Sequence, residues 1–375
     1  MILTNMVSLV WSQKKTVWIP PLEIPFSLSG TFGEPRSSHF HLGIDIKTQG
    51  KEGWKVKSVT TGHLSRVRVS LGGYGKTVYI DHPDQTTSVY AHLKKFSPKI
   101  EAYIKSKQYE KESYTLQQFP KKGEFNISAG EVIGYSGNTG SSSGPHLHFE
   151  IRDTKSQKPL NPLLFDLTIK DNQRPRIQKL FLFYPDKNSS LIHSEAVSLQ
   201  KVNDSTYNTP IIKSSGKMGL GLQMFDSQDL SYSKNGIYKA KLDINGKNIV
   251  LYEFDQLDYS DSKKLFINVD YAKFKKEKNT IQKLFFQNQE PLTFMKSIKA
   301  NGLFNIELGK SYQIKLVIED FSENSSYLVM YIEGEKKEIP NTELDGKLIK
   351  PKLDYTIVMN DKEVFFPKNT FFENA

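Results

Sequence analysis

Histidines are concentrated in one part of this 375-residue chain. Seven of the eight lie between residues 39 and 148, and only His193 lies farther along. Histidine binds transition metals and exchanges protons near neutral pH, so the cluster indicates a metal site, an acid–base site or both. The chain contains no cysteine, which excludes thiolate ligands, a thiol nucleophile and disulfide bonds. Any metal site must therefore use His, Asp or Glu.

The segment PHLHFEI (145–151) contains two of these histidines in a sequence that is typical of a strand. Successive side chains of a strand point to opposite faces, so His146, His148 and Glu150 are expected to share one face. The alternating apolar residues would then face the core. An isolated His-x-His pair is still more typical of two exposed strand histidines than of a metal site.

A second segment, HLGID (41–45), strengthens the metal interpretation. His41 and Asp45 are four residues apart, an even spacing that leaves both on one side of an extended segment. Catalytic zinc sites use three His or carboxylate ligands plus a water molecule, and His41, Asp45 and His148 would supply that set. His39 is the nearest rival ligand, because it lies two residues before His41.

The whole series of motifs resembles the LytM/lysostaphin-type zinc endopeptidases, which are peptidoglycan hydrolases. Over about residues 25–165 the series consists of GTFGEPR (30–36), HLGID (41–45), YAHL (90–93) and GEVIGYSGNTGSSSGPHLHFEIR (130–152). The resemblance implies one Zn²⁺ per chain, bound by His41, Asp45 and His148. It also implies that His92 and His146 remain free for catalysis, and which of the two is the general base stays open.

The resemblance further implies a secreted protein of the periplasm or cell envelope that hydrolyses the cross-linked stem peptides of peptidoglycan. We favour the D-alanyl–diaminopimelate bond over a glycine bridge. The loops near the site contain Ser, Asn, Tyr and Lys donors, which suit the carboxylates of a diaminopimelate stem peptide. Some family members have lost ligands, so the alternative is a catalytically inactive, zinc-bearing module that binds peptidoglycan or activates a cell-wall amidase.

Short β-like runs separated by turns must position these motifs. Alternation of period two predicts strands within 55–70, 76–82, 86–93 and 145–151, with PDQ (83–85) as a hairpin loop. One helix is expected from Ser97 to about Tyr109, with Pro98 at its first position. We therefore predict a mainly β protein that begins with an antiparallel LytM-type peptidase fold, of the duplicated hybrid motif type, with an inserted helix.

Prolines and polar residues cluster at 161–177 and predict a domain boundary there. Beyond it, hairpin patterns at 236–254 and 311–334 predict an immunoglobulin-like β-sandwich. The predicted divisions are a signal-peptide remnant (1–16), the peptidase domain (17–166), the immunoglobulin-like domain (171–338) and an unassigned tail (339–375). The apolar start is equally typical of a first strand.

Composition narrows the class of partner. The formal net charge of +10 favours polyanions such as nucleic acid, anionic lipid or the anionic polymers of a bacterial envelope. Nucleic acid is disfavoured because the lysines are scattered among acidic residues and form no dense stripe. No run after the first residues reaches the ~18 apolar residues of a membrane span, so we expect no integral membrane segment. We also expect a monomer.

Overall fold

The computed structural model describes residues 17–167, 169–185, 192–229, 231–262, 264–287, 290–339, 349, 352–359 and 362–370. Strands predominate throughout these ranges and confirm the mainly β prediction. The predicted signal-peptide remnant, residues 1–16, lies outside them. None of the helices within these ranges is both long and apolar enough to cross a membrane.

The N-terminal region, residues 17–167, is built of short strands around one long helix. Its strands are β1 (Leu28–Gly30), β2 (Ile44–Lys47), β3 (Lys55–Lys57), β4 (Gly62–Val69), β5 (Thr77–Asp81), β6 (Thr86–Ala91), β7 (Lys95–Phe96), β8 (Leu116–Gln118), β9 (Asn126–Ile127), β10 (Val132–Tyr135), β11 (His146–Asp153) and β12 (Pro159–Leu160). The helix is α1 (Pro98–Glu110), and a 3₁₀ turn follows at Pro162–Leu164.

Most of these strands form one antiparallel sheet in the order β1-β2-β11-β6-β5-β4-β8, with β12 beside β11 and β9 beside β4. Strands β5 and β6 form the predicted hairpin, with Val78 opposite Tyr90. The single strand expected within 55–70 is interrupted at residues 58–61, because β3 pairs with β10 in a second, three-stranded sheet. The central position of β11 and β6 places the histidine motifs in the middle of the main sheet.

The inserted helix begins where the sequence predicts. Pro98 occupies its first turn, and Ile100 and Ile104 are buried one turn apart. The Ser97 side chain makes no capping hydrogen bond. Instead, the Glu101 carboxylate accepts a hydrogen bond from the backbone N–H of Phe96 at 2.9 Å. After the helix, β8 pairs with β4, so the insertion extends the main sheet.

The C-terminal region, residues 176–339, contains two further sheets and three short helices. Its strands are β13 (Arg176–Pro185), β14 (Ile192–Val197), β15 (Gln200–Lys201), β16 (Thr206–Asn208), β17 (Ile212–Ser214), β18 (Gly216–Gln228), β19 (Ser231–Asn235), β20 (Lys239–Ile244), β21 (Lys247–Glu253), β22 (Gln282–Lys283), β23 (Met295–Ile298), β24 (Phe304–Ile306), β25 (Ser311–Glu319) and β26 (Ser325–Gly334). The helices are α2 (Tyr259–Ser262), α3 (Leu265–Asn268) and α4 (Tyr271–Glu277), with a 3₁₀ turn at Ala300–Gly302. A separate hairpin, β27 (Tyr355–Met359) with β28 (Lys362–Phe366), lies within the predicted tail.

The two sheets of the C-terminal region contain both predicted hairpins but do not confirm the predicted type of domain. Strands β20 and β21 turn at Asn245 and Gly246, both with positive φ, and β25 pairs with β26. One sheet has six strands and the other has eight, including parallel pairings of β16 and β17 with β26. An immunoglobulin sandwich has seven to nine antiparallel strands in total. The immunoglobulin-like architecture is therefore not confirmed.

The hydrophobic core is continuous from the N-terminal region into the C-terminal region. Phe254 stacks on Phe294 with ring centroids 4.4 Å apart, and Phe40 meets Phe294 edge-on at 5.3 Å. Gly33 has φ +77°, and a Cβ atom there would lie 2.2 Å from the Phe254 ring. Only glycine therefore fits both the backbone conformation and the close approach. The domain boundary near residue 170 stays a prediction, since apolar packing crosses it.

Candidate metal centre

Strands β2 and β11 bring Asp45 and His148 together. The two strands are antiparallel, and Asp45 lies directly opposite His148 in their ladder, so the two side chains share a face. His41 lies just before β2 on a segment fixed by two backbone hydrogen bonds of 2.9 Å, His41 N–H to Glu34 O and Gly33 N–H to His41 O. The three residues singled out from the sequence therefore converge.

The distances within this trio suit a small cation. Nε2 of His41 lies 3.1 Å from Oδ1 of Asp45 and 3.1 Å from Nδ1 of His148. Nδ1 of His148 lies 3.0 Å from Oδ1 of Asp45, and all three residues are buried. A tetrahedral zinc ion with bonds of about 2.0 to 2.1 Å separates its ligand atoms by about 3.3 Å. The observed spacing of 3.0 to 3.1 Å is close to that value.

The outer nitrogen of each imidazole donates to an oxygen behind it. Nδ1 of His41 donates to the carbonyl oxygen of Thr31 at 2.8 Å, and Nε2 of His148 donates to Oε1 of Glu150 at 2.8 Å. Such bonds fix the ring orientation and the tautomer of metal-binding histidines. They leave Nε2 of His41 and Nδ1 of His148 facing each other and Asp45. The residues present therefore fit a bound Zn²⁺.

The charges at the trio are strongly coupled. Burial would raise the pKa of Asp45, but the neighbouring histidines hold it well below its usual range. Arg36 also donates to Oδ2 of Asp45 at 2.9 Å. Burial disfavours charge on His148, yet its hydrogen bonds to Asp45 and Glu150 raise its pKa to about 9. Protons and a cation therefore compete for these atoms.

A buried acidic group lies behind His148. Glu150 is fully buried and accepts hydrogen bonds from Nε of Arg152 at 2.6 Å and from the hydroxyl of Tyr74. Burial would raise the pKa of Glu150, but Arg152 and then His148 lower it to about 2. Glu150 is therefore a charged, fully bonded support for His148. Its complete burial behind His148 leaves it no surface with which to contact a substrate.

Two further histidines face the trio from its more open side. Nε2 of His146 lies 3.5 Å from Oδ1 of Asp45, and the rings of His92 and His146 are 4.9 Å apart. Nδ1 of His92 donates to the carbonyl oxygen of Thr139, and Nδ1 of His146 donates to that of Gly144, both at 2.8 Å. When these rings are neutral, both Nε2 atoms carry a lone pair and can accept a proton.

His92 also has an unusual backbone conformation. It directly follows β6 and has φ +58°, in the left-handed region that non-glycine residues rarely adopt. Its backbone N–H donates to the carbonyl oxygen of Tyr74 at 2.9 Å and holds this conformation. Burial, followed by the neighbouring histidines, lowers the pKa of His92 to about 4. The ring is therefore neutral at pH 7, as a proton acceptor must be.

Other residues considered from the sequence lie elsewhere. His39 is exposed and takes no part in the trio. Tyr90 is fully buried on the opposite face, where its hydroxyl accepts a hydrogen bond from the backbone of Val59. Tyr74 lines the site instead, with its ring centroid 5.0 Å from that of His148. Its position between two glycines, in the sequence GYG (73–75), is the sequence feature that could have pointed to a role for Tyr74 at the site.

The C-terminal region contacts Thr31, the residue whose carbonyl oxygen orients the ring of His41. The backbone N–H of Gly236 donates to Oγ1 of Thr31 at 2.8 Å, and Oγ1 of Thr31 lies 3.2 Å from the carbonyl oxygen of Gly236. Thr31 in turn provides the carbonyl oxygen that accepts from His41. A residue far along the chain thus helps to orient a residue of the trio. No local sequence pattern predicts this contact.

The model of peptidase family M23 matches residues 39–109 and 105–162 of the chain. The DD-carboxypeptidase/endopeptidase Mpg of Neisseria meningitidis serogroup B is 33% identical over 123 residues, which are 33% of this chain and 22% of that protein. Lysostaphin of Staphylococcus simulans is 29% identical over 111 residues, which are 29% of this chain and 17% of that protein. The chain thus spans about a fifth of the length of these curated relatives.

Among solved structures, the catalytic domain of the prophage-encoded M23 protein EnpA from Enterococcus faecalis aligns with 40% of this chain and 98% of its own. The sequence identity is 22% and the TM-score is 0.30. All residues of the trio, together with His92 and His146, fall inside the segment that matches the family model.

Proposed function

We infer, because residues 39–162 match the model of peptidase family M23, that this chain is a zinc-dependent endopeptidase acting on the peptide cross-links of bacterial peptidoglycan. The observation that carries the proposal is the convergence of His41, Asp45 and His148 at 3.0 to 3.1 Å, with His92 and His146 on the open side. The enzyme would have both a metal-binding trio and proton-transferring residues.

We assign the Zn²⁺ to Nε2 of His41, Oδ1 of Asp45 and Nδ1 of His148. When bound, the ion supplies a Lewis acid that polarises the scissile carbonyl and activates a water molecule as the nucleophile. Arg36 neutralises the outer oxygen of Asp45, and Glu150 fixes the ring of His148. These two residues therefore orient ligands and do not contact substrate.

His92 and His146 perform the proton transfers. Each ring is held by its Nδ1–H, so its Nε2 faces the reacting atoms as the basic nitrogen. One Nε2 accepts a proton from the attacking water, and a proton from an imidazolium Nε2 reaches the leaving amine. The other imidazole, when its Nε2 carries a proton, stabilises the negative charge that develops on the carbonyl oxygen. The two roles are distinguishable by kinetics, not by position.

The preferred bond is the D-alanyl–diaminopimelate cross-link. A relative that is 33% identical over 123 residues of this chain is named a DD-carboxypeptidase/endopeptidase. Loops 71–75 and 134–145 form one wall beside the site, because the backbone of Ser141 donates to Gly73 at 2.8 Å and Oγ1 of Thr139 accepts from the backbone of Lys76 at 3.0 Å. Such polar loops can hydrogen-bond a carboxylate that a glycine chain lacks.

The test uses the zinc-loaded full chain with purified Gram-negative sacculi, and the products are identified by mass spectrometry. We expect cross-linked dimers to be converted to monomers while pentaglycine stays intact. His41→Ala serves as the zinc-free control. Pentaglycine cleavage at a rate equal to or above that of the dimers would contradict the bond assignment. A zinc-loaded chain that leaves both substrates intact would instead favour the inactive-module alternative.

We also propose that the protein acts in the periplasm or cell envelope, where its substrate lies. Cell fractionation followed by immunoblotting tests this location. Recovery of the protein only in the cytoplasmic fraction would contradict it.

Glu150→Gln should weaken zinc binding about 10- to 100-fold, because the amide cannot provide the charge that supports His148. Competition with a chromogenic zinc chelator measures this change. Turnover at saturating zinc should fall much less than affinity. Glu110→Gln is the matched control, since Glu110 is exposed at the end of α1. Equal zinc affinity in the two variants would contradict the role given to Glu150.

A further inference from the structure

Three aspartates from separate segments meet away from the zinc trio. Asp171 precedes β13, Asp226 lies on β18, and Asp320 follows β25. One carboxylate oxygen from each lies within 4.8 Å of the other two. Asp226 and Asp320 are each only 3% exposed, and Asp171 is partly buried. This group, the aspartate cluster, lies where the N-terminal region, the segment after it and the C-terminal region meet.

The described part of the chain provides no ion-pair partner for the aspartate cluster. None of the salt bridges among the described residues includes Asp171, Asp226 or Asp320. Burial, together with mutual repulsion, raises the pKa of Asp226 to about 9 and that of Asp171 to about 6. Three such carboxylates cannot all be charged unless a cation is added.

Unsatisfied polar atoms beside the cluster also indicate a ligand. Oδ1 of Asp226 is buried without a hydrogen-bond partner among the described residues. Asn235 lies directly opposite Asp226 in the β18–β19 ladder, so the two side chains share a face. Asn235 is 2% exposed, and neither Oδ1 nor Nδ2 of its amide has a partner within the described ranges. Buried amides are almost always bonded, so these atoms suit a ligand that does not come from the described side chains.

A small cavity borders the cluster at Asp171 and Asp226. It has a volume of about 20 Å³ and is lined by Asp171, Asp226 and Tyr238, among others. Thr31 and Phe32 of the N-terminal region also line it. A volume of this size holds about one water molecule or one ion.

We propose that Asp171, Asp226 and Asp320 bind one Ca²⁺ ion, with the amide oxygen of Asn235 as a further ligand. The donor atoms are all oxygens, which hard cations such as Ca²⁺ prefer. Zinc, by contrast, favours sites that contain histidine nitrogen. Calcium holds its oxygens at about 2.3 to 2.6 Å, so two of its ligands can be up to about 5 Å apart. Mg²⁺ demands shorter bonds and octahedral geometry, and it binds here more weakly.

The ion would fix the junction between the two regions. Asn324 already links two members of the cluster, because its Nδ2 donates to the backbone oxygen of Asp171 at 3.2 Å and to Oδ2 of Asp320 at 2.8 Å. Calcium would add a second link from both to Asp226 on β18. The site is therefore structural, and its loss should affect stability and leave the zinc trio in place.

The test titrates CaCl₂ into the full chain after metal removal and reloading with one equivalent of zinc. Calorimetry should show one Ca²⁺ per chain with a dissociation constant of about 10⁻⁴ M or tighter. The midpoint of thermal unfolding should rise by about 5 °C at 5 mM CaCl₂. Asp226→Asn and Asp320→Asn should lose both effects. Asp204→Asn, an exposed aspartate of the same region, is the matched control and should keep them.

If Asp226→Asn does not fold, the partly exposed Asp171→Asn replaces it. No calcium binding to the unaltered chain at 5 mM would overturn the proposal, as would equal binding in Asp226→Asn. An unaltered chain that is insensitive to calcium and less stable than Asp226→Asn would show that the cluster shares protons instead. An equal response to MgCl₂ would overturn the choice of calcium.

Discussion

His41→Ala, Asp45→Ala and His148→Ala are each expected to lose zinc and activity together. The three ligand atoms lie within 3.1 Å of one another, so removal of any one opens the site on one side. Two protein ligands hold zinc poorly, and the ion supplies several kcal/mol of transition-state stabilisation, so we expect turnover to fall by at least about a thousandfold. Metal analysis and hydrolysis of cross-linked peptides are measured on the same preparation.

His39→Ala is the matched control for this series. His39 lies two residues before His41 but is exposed and outside the trio, so the variant should keep one zinc per chain and full activity. Full zinc occupancy in His41→Ala would contradict the ligand assignment and indicate His39 instead.

His92→Asn and His146→Gln are expected to keep the metal and lose turnover by about a hundredfold or more. Asparagine is chosen at position 92 because the residue there has φ +58°, a conformation that asparagine tolerates better than alanine does. The variant then lacks the imidazole without a change in backbone. Zinc content, kcat and KM are measured, and the loss should appear in kcat.

His63→Asn provides the control, since His63 lies on β4, away from the trio. A metal-free His92→Asn or His146→Gln protein would make that histidine a ligand. Unchanged kcat with zinc bound would remove the residue from the proton-transfer steps. The pH dependence of kcat should also differ between the two variants. That difference would show which histidine is the general base and which is the general acid.

Local rules were sufficient for much of the metal centre. Alternation along β11 placed His146, His148 and Glu150 on one face, and Leu147, Phe149 and Ile151 are fully buried on the other. The spacing in HLGID predicted that His41 and Asp45 lie on one side of an extended segment. It could not predict that Asp45 lies opposite His148, because that depends on how β2 pairs with β11. The period of a strand is fixed by backbone geometry, so it can be read from a short segment. Which strand lies beside it in the sheet cannot be read from the segment in the same way.

The features that the sequence did not predict depend on contacts between distant segments. Tyr74 reaches Glu150 across the site, and Gly236 reaches Thr31 from the C-terminal region. The parallel pairing of β16 with β26, which departs from an immunoglobulin sandwich, joins strands that are far apart along the chain. The aspartate cluster likewise unites three segments. Composition and periodicity carry no information on which distant residues meet.

The contact between Gly236 and Thr31 has a consequence for how such a protein can be recombined in evolution or by design. The segment recognisable by similarity starts at residue 39, whereas Thr31, whose carbonyl oxygen orients His41, precedes it and is bonded to Gly236 in the C-terminal region. The unit that holds the trio in place is therefore larger than the segment that similarity identifies. A transplanted 39–162 segment would carry all five chemical groups but leave the ring proton of His41 without its acceptor.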